Sequence, residues 1–290
     1  MQSIRTLAVA SAGFASSGLP GKTLALLTLK ILVLFAIALP AYSAAGFNIQ
    51  PLRLDLSARQ KNASIELTNL TGQAIPIQIK LFAWSQKDGQ EVLEPSRDVF
   101  FAPPITNVTA NSKQVVRFRL KRGADVTRER SYRVFIEQLP PNDAALRAAM
   151  DFRVRFSIPL FVSPINFSDP SFTATATPVA DGLRVQIANP GNTHIKIKGV
   201  TAYRPNTRID RARRSDIVAS ATNSRAGTTY LLPGTTLEWL LPLSADSPPA
   251  EQLKVGINTD FFNASGRGAV QPDGVLIVPA TGEVVRSANN

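Results

Sequence analysis

The residue with the widest chemical range in this chain is its one histidine, His194. A Ser-His-Asp arrangement would have to use it as the base. No nucleophile motif surrounds it, and a base works only within hydrogen-bond reach of its nucleophile. Standing at the start of a strand-like segment, it reads as a surface or hydrogen-bonding residue. Carboxylates are scattered without a pairing pattern. Cysteine is absent, which removes disulfides, thiolate metal sites and cysteine nucleophiles. The remaining side chains offer no metal-ligand spacing. Gly18-Leu-Pro-Gly-Lys-Thr23 resembles the end of a phosphate-binding loop, but Ser16 stands where the first glycine belongs and no strand precedes it. The basic run Arg204, Arg208, Arg211, Arg213 and Arg214 has only Tyr203 as a nearby aromatic, so it reads as a solvated loop rather than a single-strand nucleic-acid platform. Asn-X-Ser/Thr sequons at Asn62, Asn69, Asn107, Asn166 and Asn263 matter only in a host that glycosylates. The expectation is a binding protein with no catalytic residue, metal or cofactor.

The elements that must present a binding surface are strands. Hydrophobic residues make up 44% of the 290-residue chain, and its 15 Phe, 21 Pro and 17 Gly suit short strands cut by turns. Residues 1–45 read as an export signal. Arg5, Lys22 and Lys30 supply positive charge, Ile31 to Leu39 form the apolar stretch, and small residues run through Ala45. Lys30 divides the apolar run below the length of a membrane span, so no stable membrane insertion is expected after cleavage. Cleavage would lower the net charge from +11 to +8, because the segment holds three basic and no acidic residues. Export places the protein in an extracytoplasmic compartment and argues against nucleic acid as the partner of a basic surface.

From Phe47 onward the period is two. Strand-like pieces begin with Phe47, Ile49, Leu52, Leu54 and Leu56, and continue through Ala63–Thr68, Ile75–Trp84, Asp98–Ala102, Gln114–Leu120, Tyr132–Gln138 and Phe152–Val162. Turns stand at Asn69–Gly72 and Lys87–Gly89. Seven strands over this length is sandwich spacing, with Trp84 on the third strand as expected core. After a short linker at Asn166–Ser171, a second unit offers Phe172–Thr177, Leu183–Ala188, His194–Tyr203, Thr228–Leu232, Leu237–Leu243, Leu253–Asn258 and Val275–Pro279. Only Asp143–Met150 hints at a helix. The expected organisation is a signal at 1–45, one sandwich at 46–164 and a second at 165–290.

The last strand of the first unit carries Met150, Phe152, Val154, Phe156 and Ile158 on one face, and Asp151, Arg153, Arg155 and Ser157 on the other. It follows Ser131-Tyr-Arg-Val-Phe-Ile-Glu-Gln-Leu-Pro-Pro141 and ends at Pro164. Together with Leu67-Thr-Asn69, Pro103-Pro104, Gln114-Val-Val-Arg117 and Gly182-Leu-Arg-Val-Gln-Ile-Ala-Asn-Pro190, these motifs make the chain resemble the periplasmic chaperones of the chaperone–usher pilus pathway. The resemblance implies an all-β fold of two immunoglobulin-like β-sandwich domains set at an angle, with a cleft between them. It implies a periplasmic chaperone that lends its last first-domain strand to pilus subunits, completing their sheets by β-augmentation, and delivers them to an outer-membrane usher. On this reading Met150, Phe152, Val154, Phe156 and Ile158 fill the subunit's groove. The same apolar face would equally serve the domain's own core, because a period of two does not separate the two uses.

In much of that family two basic residues in the cleft anchor the subunit's C-terminal carboxylate. The resemblance puts the first at Arg53, counting back from Asn69. The usual lysine position, counting back from Pro164, is held by Pro159. Arg133, Arg153 and Arg155 are the candidates for the second anchor. That departure, with the Ser-Ile-Pro-Leu-Phe-Val ending, implies the divergent branch serving spore-coat-protein-U-like subunits. The free protein is a candidate for a self-capping homo-oligomer. Two other readings are a structural pilus subunit or adhesin, which should lack a last strand, and a secreted carbohydrate-binding module, which should show an aromatic platform.

Overall fold

The computed structural model describes residues 46–121, 127–140, 154–168, 171–208, 211–221 and 229–262, and three short strand pieces beyond. The signal segment 1–45, the helical candidate at 143–150 and the site candidates Met150, Phe152 and Arg153 lie outside the described residues. Among the described residues no helix is long and apolar enough to cross a membrane.

Among the described residues the first sandwich is built from β1 (Phe47–Gln50), β2 (Leu54–Leu56), β3 (Asn62–Asn69), β4 (Ile75–Lys87), β5 (Gln90–Pro95), β6 (Val99–Ala102), β7 (Ile105–Val108), β8 (Lys113–Leu120), β9 (Arg130–Gln138) and β10 (Arg155–Val162). Sheet A runs β1-β3-β8-β6. Sheet B runs β2-β10-β9-β4-β5, with β7 also on β4. The alternation in the sequence becomes the two faces of each sheet. Ile65 and Leu67 from β3, Val116 and Phe118 from β8, Ile77, Ile79 and Leu81 from β4, Val134 and Ile136 from β9, and Ile158 and Leu160 from β10 meet in one core.

The opening segment is not one continuous strand. Pro51 lacks an N–H and ends β1, the chain crosses between sheets, and Leu52 is left 68% exposed. β1 then belongs to sheet A, pairing antiparallel with β3, and β2 to sheet B, pairing parallel with β10. The Lys87–Gly89 turn closes a two-residue hairpin between β4 and β5, with Asp88 at φ 51° and Gly89 at φ 73°. Positive φ at both central positions gives the twist that hairpins favour. Strands β5 and β7 are additions to the sequence-based expectation. β5 is half-exposed and charged, and β7 is four residues long, so neither shows a long apolar alternation.

The second sandwich contains β11 (Thr173–Val179), β12 (Gly182–Ala188), β13 (Ile195–Tyr203), β14 (Ile217–Ala221), β15 (Thr229–Leu231), β16 (Thr236–Pro242), β17 (Lys254–Phe262), β18 (Gly268–Ala269), β19 (Val278–Pro279) and β20 (Val285–Arg286). Its sheets run β16-β12-β11-β20 and β14-β13-β17-β18, with β15 on β13 and β19 on β17. Gly182 sits at φ 145° where a Cβ would collide with the Leu241 carbonyl, so this turn requires glycine.

Both sandwiches fasten a loop with the same device. Asn69, at the end of β3, is fully buried. Its Nδ2 lies 2.7 Å from the Gln73 carbonyl and 3.0 Å from those of Val108 and Thr109, and its Oδ1 accepts from the Thr71 N–H at 2.9 Å. Asn189, just past β12, donates to the Thr193 and Leu231 carbonyls at 2.8 and 3.0 Å, and accepts from the Gly191 N–H at 2.9 Å. Each side chain stands in for backbone partners that the loop lacks. The sequon asparagine at 69 is therefore an internal structural residue. Asn69→Ala would leave several buried carbonyls without their donor, and should lower unfolding free energy by about 2 kcal/mol in denaturant titration, with the same folded spectrum.

Candidate functional site

The geometry of the site begins with β10. Along its inner side it pairs with β9 over its whole length, from Arg155↔Glu137 to Val162↔Arg130. On its outer side β2 reaches only Leu160, Phe161 and Val162. Two hydrogen bonds fix the phase of the ladder. Gln138 N donates to Val154 O at 3.1 Å, and Ser163 N donates to Leu56 O at 2.9 Å. Even-numbered backbone groups therefore face β9, and odd-numbered ones face outward. At Arg155, Ser157 and Pro159 no strand among the described residues receives them. Pro159 is tolerated inside β10 because its missing N–H would have pointed to this open side.

Burial fades along the apolar face of the same strand. Ile158 is 2% exposed and belongs to the domain's own core. Phe156 is partly buried against that core, with its ring 6.2 Å from Phe47. Val154, one step further, is 44% exposed. The alternation thus runs past the edge of the sandwich that could absorb it. Of the expected groove-filling residues, Ile158 is committed inside its own domain, while Phe156 and Val154 stand at and beyond its border.

The charged candidates lie on the opposite, outer face of sheet B. Arg53 directly precedes β2, whose register pairs Leu54 with Leu160, so it continues that row beside Pro159. Pro159 in turn pairs with Arg133. Arg53, Pro159 and Arg133 form one cross-strand row, with the proline as the neutral middle member. Arg53 Nε donates to Asp55 at 2.9 Å. The Arg133 side chain is 15% exposed. Its guanidinium lies 3.7 Å over the Trp84 ring, and Nη2 reaches Glu91 at 2.6 Å. The Arg133 Nε is buried without a hydrogen-bond partner. Arg155 stands four residues back along β10 from Pro159. It pairs with Glu137 at 3.0 Å and lies 4.0 Å over the Phe135 ring, and Glu137 also receives Lys80 at 2.7 Å. The structure brings Arg53 and Arg133 together and sets Arg155 apart.

The same face meets the second sandwich. Trp84, expected in the first domain's core, is buried on the other side of sheet B. Its neighbours Leu81 and Ala83 face the core, and alternation sends Trp84 outward to pack with Phe161, Leu232, Leu93 and Tyr230. Gln86 acts as a short backbone substitute across this joint. It donates to the Tyr230 carbonyl at 2.7 Å and accepts from the Leu232 N–H at 3.0 Å and the Thr235 hydroxyl at 2.9 Å. His194 is not a surface residue. Its ring stacks on Phe161 at 3.8 Å, and Nδ1 lies 2.8 and 2.9 Å from the two Glu129 carboxylate oxygens. Both side chains are 3% exposed, and the His194 N–H also reaches Glu129 at 3.1 Å. Nearby, the Tyr132 hydroxyl donates to Asp98 at 2.9 Å. Burial, then that hydrogen bond, raise its pKa well above the ordinary tyrosine value.

Sequence reasoning missed Glu129 and Gln86. Each is an isolated polar residue whose partner lies 65 or about 144 residues away, and no local pattern announces such a pair. Among the described residues no cluster of three or more His, Asp or Glu is placed to hold a metal ion.

Residues 46–168 match the family described as pili and flagellar-assembly chaperone, PapD N-terminal domain. No curated protein matches the chain by sequence. Similar solved structures include a chain of the CsuC–CsuE chaperone–tip adhesion subunit pre-assembly complex, from archaic chaperone–usher Csu pili of Acinetobacter baumannii. It is 18% identical with a TM-score of 0.54, over 83% of this chain and 98% of that one. The YadV chaperone is 13% identical with a TM-score of 0.52, over 80% of this chain and 100% of that one. The class 5 fimbriae chaperone CfaA is 15% identical with a TM-score of 0.50, over 80% and 98%.

The Glu129–His194 pair joins the two sandwiches in a place nearly closed to solvent. Replacing Glu129 with Ala should cost about 3 kcal/mol, because it strands buried donors and removes one partner of a buried pair. A double-mutant cycle with His194→Ala, read by chemical denaturation, should show strong coupling; additive losses would mean that the pair does not act as a unit. Residues 46–168 thus carry the match to the pili and flagellar-assembly chaperone family, PapD N-terminal domain, and the described chain has the two-sandwich fold seen in solved fimbrial chaperones.

Proposed function

We propose that this protein is a periplasmic pilus chaperone that captures fibre subunits by donating β10 and delivers them to an outer-membrane usher. The observation that carries the reading is the half-covered strand. β2 occupies only the last three residues of the outer edge of β10. The remaining edge offers backbone groups and a fading apolar face to a subunit lacking one strand. Main-chain hydrogen bonds would satisfy both edges, and Val154 and Phe156 would enter the subunit's groove. Met150 and Phe152 continue the same alternation in sequence. A structural subunit would instead lack its last strand, and β10 is present here.

The row Arg53–Pro159–Arg133 supports a carboxylate anchor shared between β9 and the residue before β2. A lysine at position 159 is dispensable on this reading because Arg133 supplies the cation from the adjacent strand. Trp84 holds the guanidinium flat, and the part of the side chain that stays exposed is what a carboxylate would meet. Arg155 lies outside this row, opposite Glu137 at the far end of β10. The proline in the row is the feature that favours the divergent branch serving spore-coat-protein-U-like subunits. Residues 1–45 act as the export leader. The protein's role is binding, and His194 serves the domain joint.

Two pairs of substitutions test this reading, with co-purification of fimbrial subunits from the native periplasm as the readout. Val154→Asp should weaken subunit capture at least about tenfold, or roughly 1.4 kcal/mol, with little change in melting temperature. Ile158→Asp should instead unfold the first domain. Equal stability losses at the two positions would return the whole face to the protein's own core. Arg53→Glu should abolish capture in a folded protein. Arg133→Gln should weaken it more than Arg155→Gln does. The opposite order would remove Arg133 from the anchor.

A further inference from the structure

The outer face of sheet A, on the far side of the first sandwich from the proposed subunit site, carries a second surface. Its grid follows from register. Arg119 stands between Asn62 on β3 and Phe100 on β6, and Arg117 stands between Ser64 and Ala102. Together these six residues line a shallow groove of about 560 Å³. The small side chains of Ser64 and Ala102 keep its floor low, and Phe100 rises at its rim, 57% exposed.

The charge on this face is lopsided. Glu66 is the one acid on the outward positions of β3 and β8, and it is paired with Lys113 at 2.7 Å, at the other end of the sheet. Among the described residues no ion pair reaches Arg117 or Arg119. Lys61 and Lys121 stand exposed just beyond the ends of the same two strands and add to the positive end. β6 is the edge of its sheet, paired with β8 alone among the described strands. Two forked cations two residues apart on one strand, with an exposed ring beside them, match carboxylates spaced along an extended chain. An exposed ring among neutral, small groove residues matches an apolar side chain between them.

We infer that this groove is a docking site for an extended acidic segment of a partner protein other than the fibre subunit. Its carboxylates pair with Arg117 and Arg119, and an apolar residue packs on Phe100. The groove and β10 belong to different sheets, so both are open to occupation at once.

The test uses the full mature protein and a fluorescein-labelled synthetic peptide of alternating Glu and Leu, read by anisotropy. A matching Lys–Leu peptide is the control. The expected result is saturable binding of the acidic peptide alone, weakened as salt rises. It should be weakened at least about tenfold by Arg117→Glu with Arg119→Glu, and several-fold by Phe100→Ala. Arg53→Glu should leave it unchanged, so failure of the subunit reading and failure of this one are separable. Each variant's melting temperature is measured alongside, and Arg117→Gln with Arg119→Gln replaces the double reversal should that one unfold. Binding unaffected by the arginine substitutions, or absent altogether, overturns the proposal. Capture of anionic phospholipid vesicles in place of the peptide, lost with the same arginines, also overturns it and reassigns the groove to a lipid surface.

Discussion

The open edge of β10 exists because β2 covers so little of it. Leu54, Asp55 and Leu56 occupy three outer positions and no more. A longer β2 would close sheet B as an ordinary sandwich edge and leave nothing to donate. A missing β2 would expose Leu160 and Val162, which the core requires. The break that sets this length is local. Pro51 cannot continue the ladder of β1, and the chain crosses to the other sheet before pairing again. A proline at the start of the domain thus fixes how much edge stands open at its end.

The outer face of sheet B then serves two purposes that need different chemistry at opposite ends of the same strands. At Phe161 and Trp84 it is apolar and sealed by Leu232 and Tyr230. One step along β10 and β9, at Pro159 and Arg133, it becomes the floor of a cationic row. The two zones share Trp84, whose ring packs against the second domain and also lies under the Arg133 guanidinium. Holding the second sandwich in place therefore also holds Arg133 in place. The polar ties across the joint, Gln86 and the Glu129–His194 pair, are directional in a way that apolar packing is not. They restrict the angle at which the second domain meets this face.

Much of the fold is legible because period two is a physical consequence of the pleat, and strands such as β3, β8 and β12 display it clearly. β5, β7 and β14 escape because they are short or half-exposed, so no apolar face marks them. At the site, alternation puts Val154, Phe156 and Ile158 on one face. It does not say where the domain's own core stops, because that depends on how far the opposite sheet extends. Trp84 reads as sandwich core for a related reason: composition shows that a large ring is buried, but only its phase against Leu81 shows on which side. Pro159 is visible as a departure from a lysine. Its compensation by Arg133 requires knowing that the two residues are cross-strand neighbours.

An edge left open for a client is also open to copies of the same chain, and the sequence answers that hazard on the strand itself. Pro159 removes a donor from the exposed side, so a ladder formed there by any partner is incomplete at that point. Arg155 places a charge further along the same edge, and a second copy would bring the same charge to it. The chain's net positive charge acts in the same direction over longer range. A subunit meets the same missing donor, but its groove covers the apolar face of Val154 and Phe156, which points away from Arg155 by strand alternation, and that contact offsets the loss. Discrimination between client and copy thus comes from the apolar face, which a groove can cover, set against charge on the opposite face and a missing donor at the edge.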